Sequence, residues 1–274
     1  MSKNNKKRKK KKSNIAYIIC LVLLVCIFLG CAVYLFKYFW DSKKSEDKVD
    51  DLRGLIITDY SSDDKDTDEK NIIEYVEIDG VLVQKKYELI YRKNSDFIGW
   101  LSIDDTVIDY PVMQTMSDEE FYIHRDFDKE YSSAGTLFVD TSSDIKKPSD
   151  NILIYGHNMK TGKMFHELLS YEDEDFYKNH KYITFDTIHG DGTYEVIAAF
   201  RTEIQDKDYT GFKYYQFFNA ANEEEFNNFV DNCKSLTPYN ISTTAEYGDK
   251  LITLSTCAYH DDNGRYVVVA KKLD

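Results

Sequence analysis

Cysteine is scarce in this chain, and most of it is badly placed for a disulfide framework. Five cysteines occur in 274 residues; Cys20, Cys26 and Cys31 lie inside one apolar run, which leaves only Cys233 and Cys257 outside it. A small secreted scaffold stapled by disulfides is excluded. Metal and phosphate chemistry have equally little support. The histidines are scattered, no Cys-x-x-Cys occurs, His157 and His166 lack ligand spacing, and Asp261-Asp262 offers only two carboxylates to a calcium ion. Glycines stand singly apart from Gly190-Asp-Gly192, so no glycine-rich phosphate loop exists. Neither a metal nor a cofactor is expected.

Acid is absent from the first 40 residues, which hold nine Lys and Arg; beyond them 26 basic residues face 48 acidic ones, a formal charge of −22. The two parts therefore meet different environments. Lys3 to Lys12 is almost all cationic, and Ile15 to Phe36 is an uncharged run of 22 residues, long enough to cross a hydrocarbon core of ~30 Å. Cations ahead of a first span keep the N-terminus in the cytoplasm and send the remainder of the chain across the membrane. Leu29-Gly30-Cys31 raises a lipoprotein signal as an alternative, and a cleaved secretory signal is another; both also imply export. The apolar run continues past Cys31 with no small-x-small site before a polar stretch, which favours a retained anchor. Nucleic acid is not expected as a partner, because the basic run abuts the span and the remainder is acidic.

The expected organisation is a cytoplasmic basic tail over 1–12, a transmembrane signal-anchor over 13–39, a polar linker over 40–70 and an extracellular domain over 71–274. Asp41 to Lys70 is rich in Asp, Lys and Ser and reads as a tether or frayed helix, with Leu52 to Ile57 as an apolar patch that could pack. Val83 to Arg92 has helical character, and Ser117 with Glu120 suggests a short capped helix. From Trp100 onward, short strand-like runs alternate with turns: 100–103, 107–113, 136–140, 151–155, 182–185, 194–202 and a final hairpin. That rhythm points to a closed or sandwiched β domain. One clear helix interrupts it. Phe226, Phe229, Val230 and Cys233 recur at helical spacing behind Asn222 and Glu225, which makes Cys233 a core residue.

Cys257 remains as the candidate nucleophile. Leu251 to Ser255 and Arg265 to Ala270 are two strand-like runs separated by a polar stretch closed by Gly264, and together they predict an antiparallel hairpin. A symmetric closure puts Cys257 and Arg265 opposite each other with Cβ atoms roughly 4.5–5.5 Å apart. A fixed cation beside a thiol favours the thiolate and offers N–H donors to a developing oxyanion. His157 ends another buried-strand run, Asn151 to Tyr155, and is the candidate proton donor. Singly, each residue has a plainer role, as core thiol, surface cation or structural imidazole. The ordered set carries the reading.

Thr253-Leu-Ser-Thr-Cys257 with Arg265, Tyr155-Gly-His-Asn-Met159, Gly99-Trp-Leu-Ser-Ile103, Ile108-Asp-Tyr-Pro-Val112, Gly135-Thr-Leu-Phe-Val-Asp140 and Met164-Phe165 all occur in this chain. This set resembles the signatures of class B sortases over about Phe97 to Leu273. The resemblance implies a closed eight-stranded β-barrel, mainly β, with an N-terminal helical segment and one further helix, behind a single transmembrane helix. It also implies a cysteine transpeptidase of the Gram-positive surface: Cys257 as nucleophile, His157 as acid and base, Arg265 on the carbonyl oxygen, Ser255 in the substrate groove and the Ala258 N–H sharing the oxyanion. Its partners would be exported proteins bearing a C-terminal sorting signal and an amine of a cell-wall precursor. A pilin-polymerising enzyme with a lysine acceptor, a hydrolytic cysteine protease and a non-catalytic receptor on the same barrel are the alternatives.

Overall fold

The computed structural model describes residues 5–56, 73–258 and 263–273. Two compact units divide the chain, Met1–Glu46 and Asp47–Asp274. Helix α1 (Asn5–Arg53) contains Ile15–Lys37, a stretch of 23 residues with mean hydropathy 3.1. Its apolar side chains are exposed all round, as suits a helix solvated by lipid.

The second unit begins with the last turns of α1. Leu52 is buried, Lys48 Nζ lies 2.7 Å from both Asp126 and Asp128, and Arg53 reaches Asp109 at 2.7 Å. The segment expected as a tether or frayed helix is helical as far as Arg53, and from Asp47 it belongs to the larger unit. Composition hides this, because Lys48, Val49, Leu52 and Arg53 make one helical face within a stretch that is polar on average. Residues 57–72, which include the most polar part of that stretch, lie outside the described residues.

Strands β1 (Tyr75–Ile78) and β2 (Val81–Gln84) form a hairpin around Asp79-Gly80, where φ is 50° and 80°, the twist that a two-residue turn needs. A 3₁₀ turn over Lys85–Tyr87 and helix α2 (Glu88–Lys93) follow. The helical reading of 83–92 therefore holds from Lys85, while Val83 and Gln84 are strand. Next come β3 (Phe97–Ser102), β4 (Asp109–Met113), β5 (Leu137–Val139), β6 (Asn151–Tyr155), α3 (Glu174–Asn179), β7 (Tyr182–Thr187), β8 (Thr193–Glu203), α4 (Glu223–Leu236), β9 (Leu251–Cys257) and β10 (Gly264–Lys272). The last eight strands close in the order β10-β8-β7-β3-β4-β5-β6-β9. This is the expected barrel. Two of its pairings are parallel, β4 with β5 and β6 with β9. Where a capped helix was expected near Ser117, a 3₁₀ helix over Glu119–His124 starts at Asp118 without a side-chain cap.

Period two sorts the strand residues. Ile152, Ile154, Ile252, Leu254, Tyr266, Val268 and Ala270 fill the lumen. Leu153, Leu251, Val267 and Val269 face outward and are covered by Phe226, Phe229, Val230 and Cys233 of α4. Burial on both faces explains why β10 reads as unbroken Val rather than alternating with polar residues. A second outer patch, with Phe97, Trp100, Tyr122 and Phe138, is covered by the β1–β2 hairpin, α2 and Leu52. Burial pushes the Cys233 thiol well above its ordinary range, which leaves it inert.

Helix α4 starts on Asn222, whose side chain accepts from the Glu225 N–H at 3.0 Å, while the Glu225 carboxylate accepts from the Ala221 N–H at 2.8 Å. Removing a cap of this kind costs about 1 kcal/mol. Asn222→Ala should lower the thermal midpoint by about 2–4 °C, as read by calorimetry.

Candidate active site

The β9–β10 ladder pairs Lys271 with Leu251 at one end and Arg265 with Cys257 at the other. The thiol and the guanidinium therefore leave directly opposed positions of one hairpin, as the sequence predicts. The Gly264 carbonyl braces the corner. It accepts from the Ala258 N–H at 2.9 Å and from Arg265 Nη1 at 2.9 Å. Cys257 is the first residue of its strand that is not fully buried, since Leu251 to Thr256 are all enclosed. It sits where a rigid scaffold meets solvent.

Each polar residue of the run Thr253 to Thr256 has a bond to make in its buried place. Thr253 Oγ1 donates to Asn151 Oδ1 at 2.8 Å, Ser255 Oγ meets the Tyr214 hydroxyl at 2.7 Å, and Thr256 Oγ1 donates to the Gly156 carbonyl at 2.7 Å. Buried hydroxyls without such partners would be costly. Two of these three bonds reach β6 or the residue beyond it, and so tie Cys257's strand to His157's.

The tie continues past the formal end of β6. Tyr155 lies opposite Ser255 in the parallel ladder; Gly156 N–H then donates to the Ser255 carbonyl at 3.2 Å, and Asn158 Nδ2 donates to the Cys257 carbonyl at 2.9 Å. His157 is thus bracketed by two residues bonded to Cys257's strand. Gly156 has no room for a side chain, because a Cβ would stand 2.4 Å from Leu137 and 2.7 Å from Phe165.

The half-buried His157 ring is held from the far side by the 3₁₀ segment. Nε2 lies 2.7 Å from the Ile123 carbonyl, and a carbonyl only accepts, so Nε2 carries the hydrogen. In the neutral ring Nδ1 is then the atom left to take or give a proton. His124 stacks on the same ring, with centroids 5.3 Å apart and planes 19° from parallel. Gly135, at φ 59°, makes this shelf possible: a Cβ there would come within 2.4 Å of the Ile123 carbonyl oxygen. Burial pulls the His157 pKa below the ordinary histidine value; the Ile123 carbonyl opposes that and the neighbouring His124 adds to it.

Two sequence expectations for substrate contacts meet a different arrangement. Ser255 is fully buried under Tyr214, because period two turns it into the layer that α4 and the segment before it cover. The Ala258 N–H is committed to Gly264, since the hairpin ladder extends one residue beyond the strand. Burial pushes the Tyr214 hydroxyl up to about 12, against the Ser255 bond and the nearby Arg265 charge.

A sortase-domain family model matches residues 101–273. The chain belongs to the sortase family. It is 31% identical to sortase B of Staphylococcus aureus over 191 residues, 69% of this chain and 75% of that one. The crystal structure of B. anthracis sortase B in complex with AAEK1 superposes with TM-score 0.69 at 28% identity, over 85% of this chain and 98% of that chain. The S. aureus sortase B–substrate complex gives TM-score 0.63 at 30% identity, over 70% and 86%. These relatives place the protein in the sortase B group, with a sortase-type transpeptidase activity.

The sortase's site also contains residues that the sequence did not single out for it: Ile123, His124, Asn158, Tyr214 and Thr256. Asn158 and Thr256 adjoin residues already singled out, but no spacing rule links the 119–125 segment or Tyr214 to a histidine or cysteine so far along the chain. His166 is exposed, and its Nδ1 lies 2.7 Å from Asn158 Oδ1.

The lowered His157 pKa has a sign for stability. The fold favours the neutral ring, so its contribution is complete above the unfolded value of ~6.5 and is lost as pH falls through the lower folded value. His157→Gln should therefore lose less stability than the wild type on acidification from about pH 7 to about pH 5, measured as denaturant midpoints.

Proposed function

We propose that this sortase is a membrane-anchored cysteine transpeptidase of a Gram-positive cell surface, with Cys257 as nucleophile, His157 as general acid and base, and Arg265 as oxyanion donor. The observation that carries the reading is the opposed pair Cys257–Arg265, tied at its edge to the residues on either side of His157. Cys257 Sγ attacks a backbone carbonyl carbon in a sorting motif near the substrate's C-terminus, and the developing oxyanion takes N–H bonds from Arg265. The thiol proton passes to His157 Nδ1 as Sγ attacks, and the C–N bond breaks as His157 delivers that proton to the leaving amine, which gives a thioacyl enzyme. A cell-wall precursor amine then loses its proton to His157, forms a new C–N bond and expels the thiolate.

Two complexes support the choice of partners. S. aureus sortase B has been solved with a substrate, and a sortase B has been solved with triglycine. The apolar helix of the first unit supports the membrane anchor. The lysines ahead of it favour a cytoplasmic N-terminus and an extracellular catalytic unit.

Cys257→Ala should form no thioacyl adduct with a sorting-motif peptide, whereas Cys233→Ala should form it normally; intact-protein mass spectrometry reads both. Arg265→Lys retains the charge but not the planar fork of donors. It should lose about 10²–10³-fold in single-turnover acylation. An adduct on Cys233, or a lysine variant within about threefold of wild type, contradicts these assignments.

A further inference from the structure

The 3₁₀ segment between β4 and β5 is built to hold one exposed imidazole, that of His124, against the half-buried imidazole of His157. Its backbone is pinned to the following turn: Thr136 N–H donates to the Tyr122 carbonyl at 3.0 Å, Ser132 N–H to the His124 carbonyl at 3.0 Å, and Thr136 Oγ1 to the Arg125 carbonyl at 2.9 Å. Downstream, Asp126 is fixed by Lys48 at 2.7 Å and caps the Asp128 and Glu130 N–H groups at 3.0 Å each. The ring of His124 lies 6.4 Å from that of Tyr131 and 5.3 Å from that of His157, centroid to centroid. Such a shelf has little freedom to swing aside.

We propose that His124 is a positioning residue that sets the protonation of His157 and so widens the pH range of thioacylation toward acid. The inference rests on His157 being the acid and base of the reaction. Two stacked imidazoles oppose one another's charge, and the exposed ring keeps its hydration when protonated whereas the half-buried one loses part of it. A positive charge on the His124 ring, 5.3 Å from that of His157 between centroids, resists a second on His157. The competent pair of one thiol and one imidazole, sharing a single transferable proton, survives to lower pH as a result.

Other charged and titratable groups around His157 do not duplicate this role. On the same segment, Glu119 lies against Asp140 and Thr141, and Arg125 is turned onto the Phe121 ring at 4.3 Å and donates to the Phe121 carbonyl. On the loop after β6, His166 is bonded to Asn158, and Lys160 and Lys163 have partners of their own. Cys257 and Arg265 face the site from β9 and β10. Tyr131 lies 6.4 Å from His124 between ring centroids, and Asp261 and Asp262 fall outside the described residues. Of these groups, His124 is the one whose ring stacks on that of His157.

The test uses the full-length protein in detergent with isotope-labelled histidine, the His157 signals being assigned by their loss in His157→Gln. His124→Phe keeps a flat ring on the shelf and removes its charge; His124→Gln removes both the charge and the ring. In both, the His157 titration should move to higher pH, and the acid limb of single-turnover thioacylation should move with it. A His157 titration superimposable on wild type in both variants overturns the proposal. Absence of thioacylation in the wild type would instead count against His157's catalytic role, and the titration would still decide whether His124 governs its proton.

Discussion

The parallel pairing of β6 with β9 is the constraint on which the rest of this structure depends. It joins residues a hundred positions apart, from Asn151 with Leu251 to Tyr155 with Ser255, and it is one of the two seams that close the barrel with strands running the same way. Parallel neighbours cannot be linked by a tight turn, so the chain between them makes a long crossover that includes β7, β8 and α4. The ladder then runs on beyond the strand through Gly156, Thr256 and Asn158. That overrun carries the geometry of the backbone into the site: His157 cannot move away from Cys257's strand without breaking bonds made on either side of it.

Chemistry sits on the outside of the barrel because the lumen is full. Leu254 and Tyr266 point inward among aliphatic neighbours, whereas the opposite face of the same strands carries Cys257 and Arg265 to the rim of the patch covered by α4. Tyr155 packs against both outer patches, so the site opens where the two coverings meet. On that rim the burial is uneven. The Cys257 and Arg265 side chains keep partial access to solvent, while His157 is enclosed enough for its charge to be disfavoured.

The shelf beneath His157 links parts of the larger unit that look unrelated in one dimension. Lys48, near the end of α1, fixes Asp126; Asp126 orders the turn to Glu130; and the turn returns through Gly135, whose lack of a side chain lets the Ile123 carbonyl stand where it does. Composition gave no hint of this role for the stretch after the apolar run, because only a few of its side chains take part.

Much of the architecture was legible in the sequence for physical reasons. Strands buried on both faces leave near-continuous β-branched runs, so the barrel strands and the Cys257–Arg265 register could be read from periodicity and one glycine-closed turn. Spacing in threes and fours revealed α4 and the burial of Cys233, and an uncharged run behind a block of lysines revealed the apolar helix. These are local signals, in which a residue's neighbours in sequence are its neighbours in space. Which face of β9 is covered, and hence that Ser255 is buried rather than open to a groove, depends on where α4 and Tyr214 come to rest. That Ile123 and His124 meet His157, and that the Ala258 N–H is already bonded, follows from contacts between distant segments, which only closure of the barrel decides.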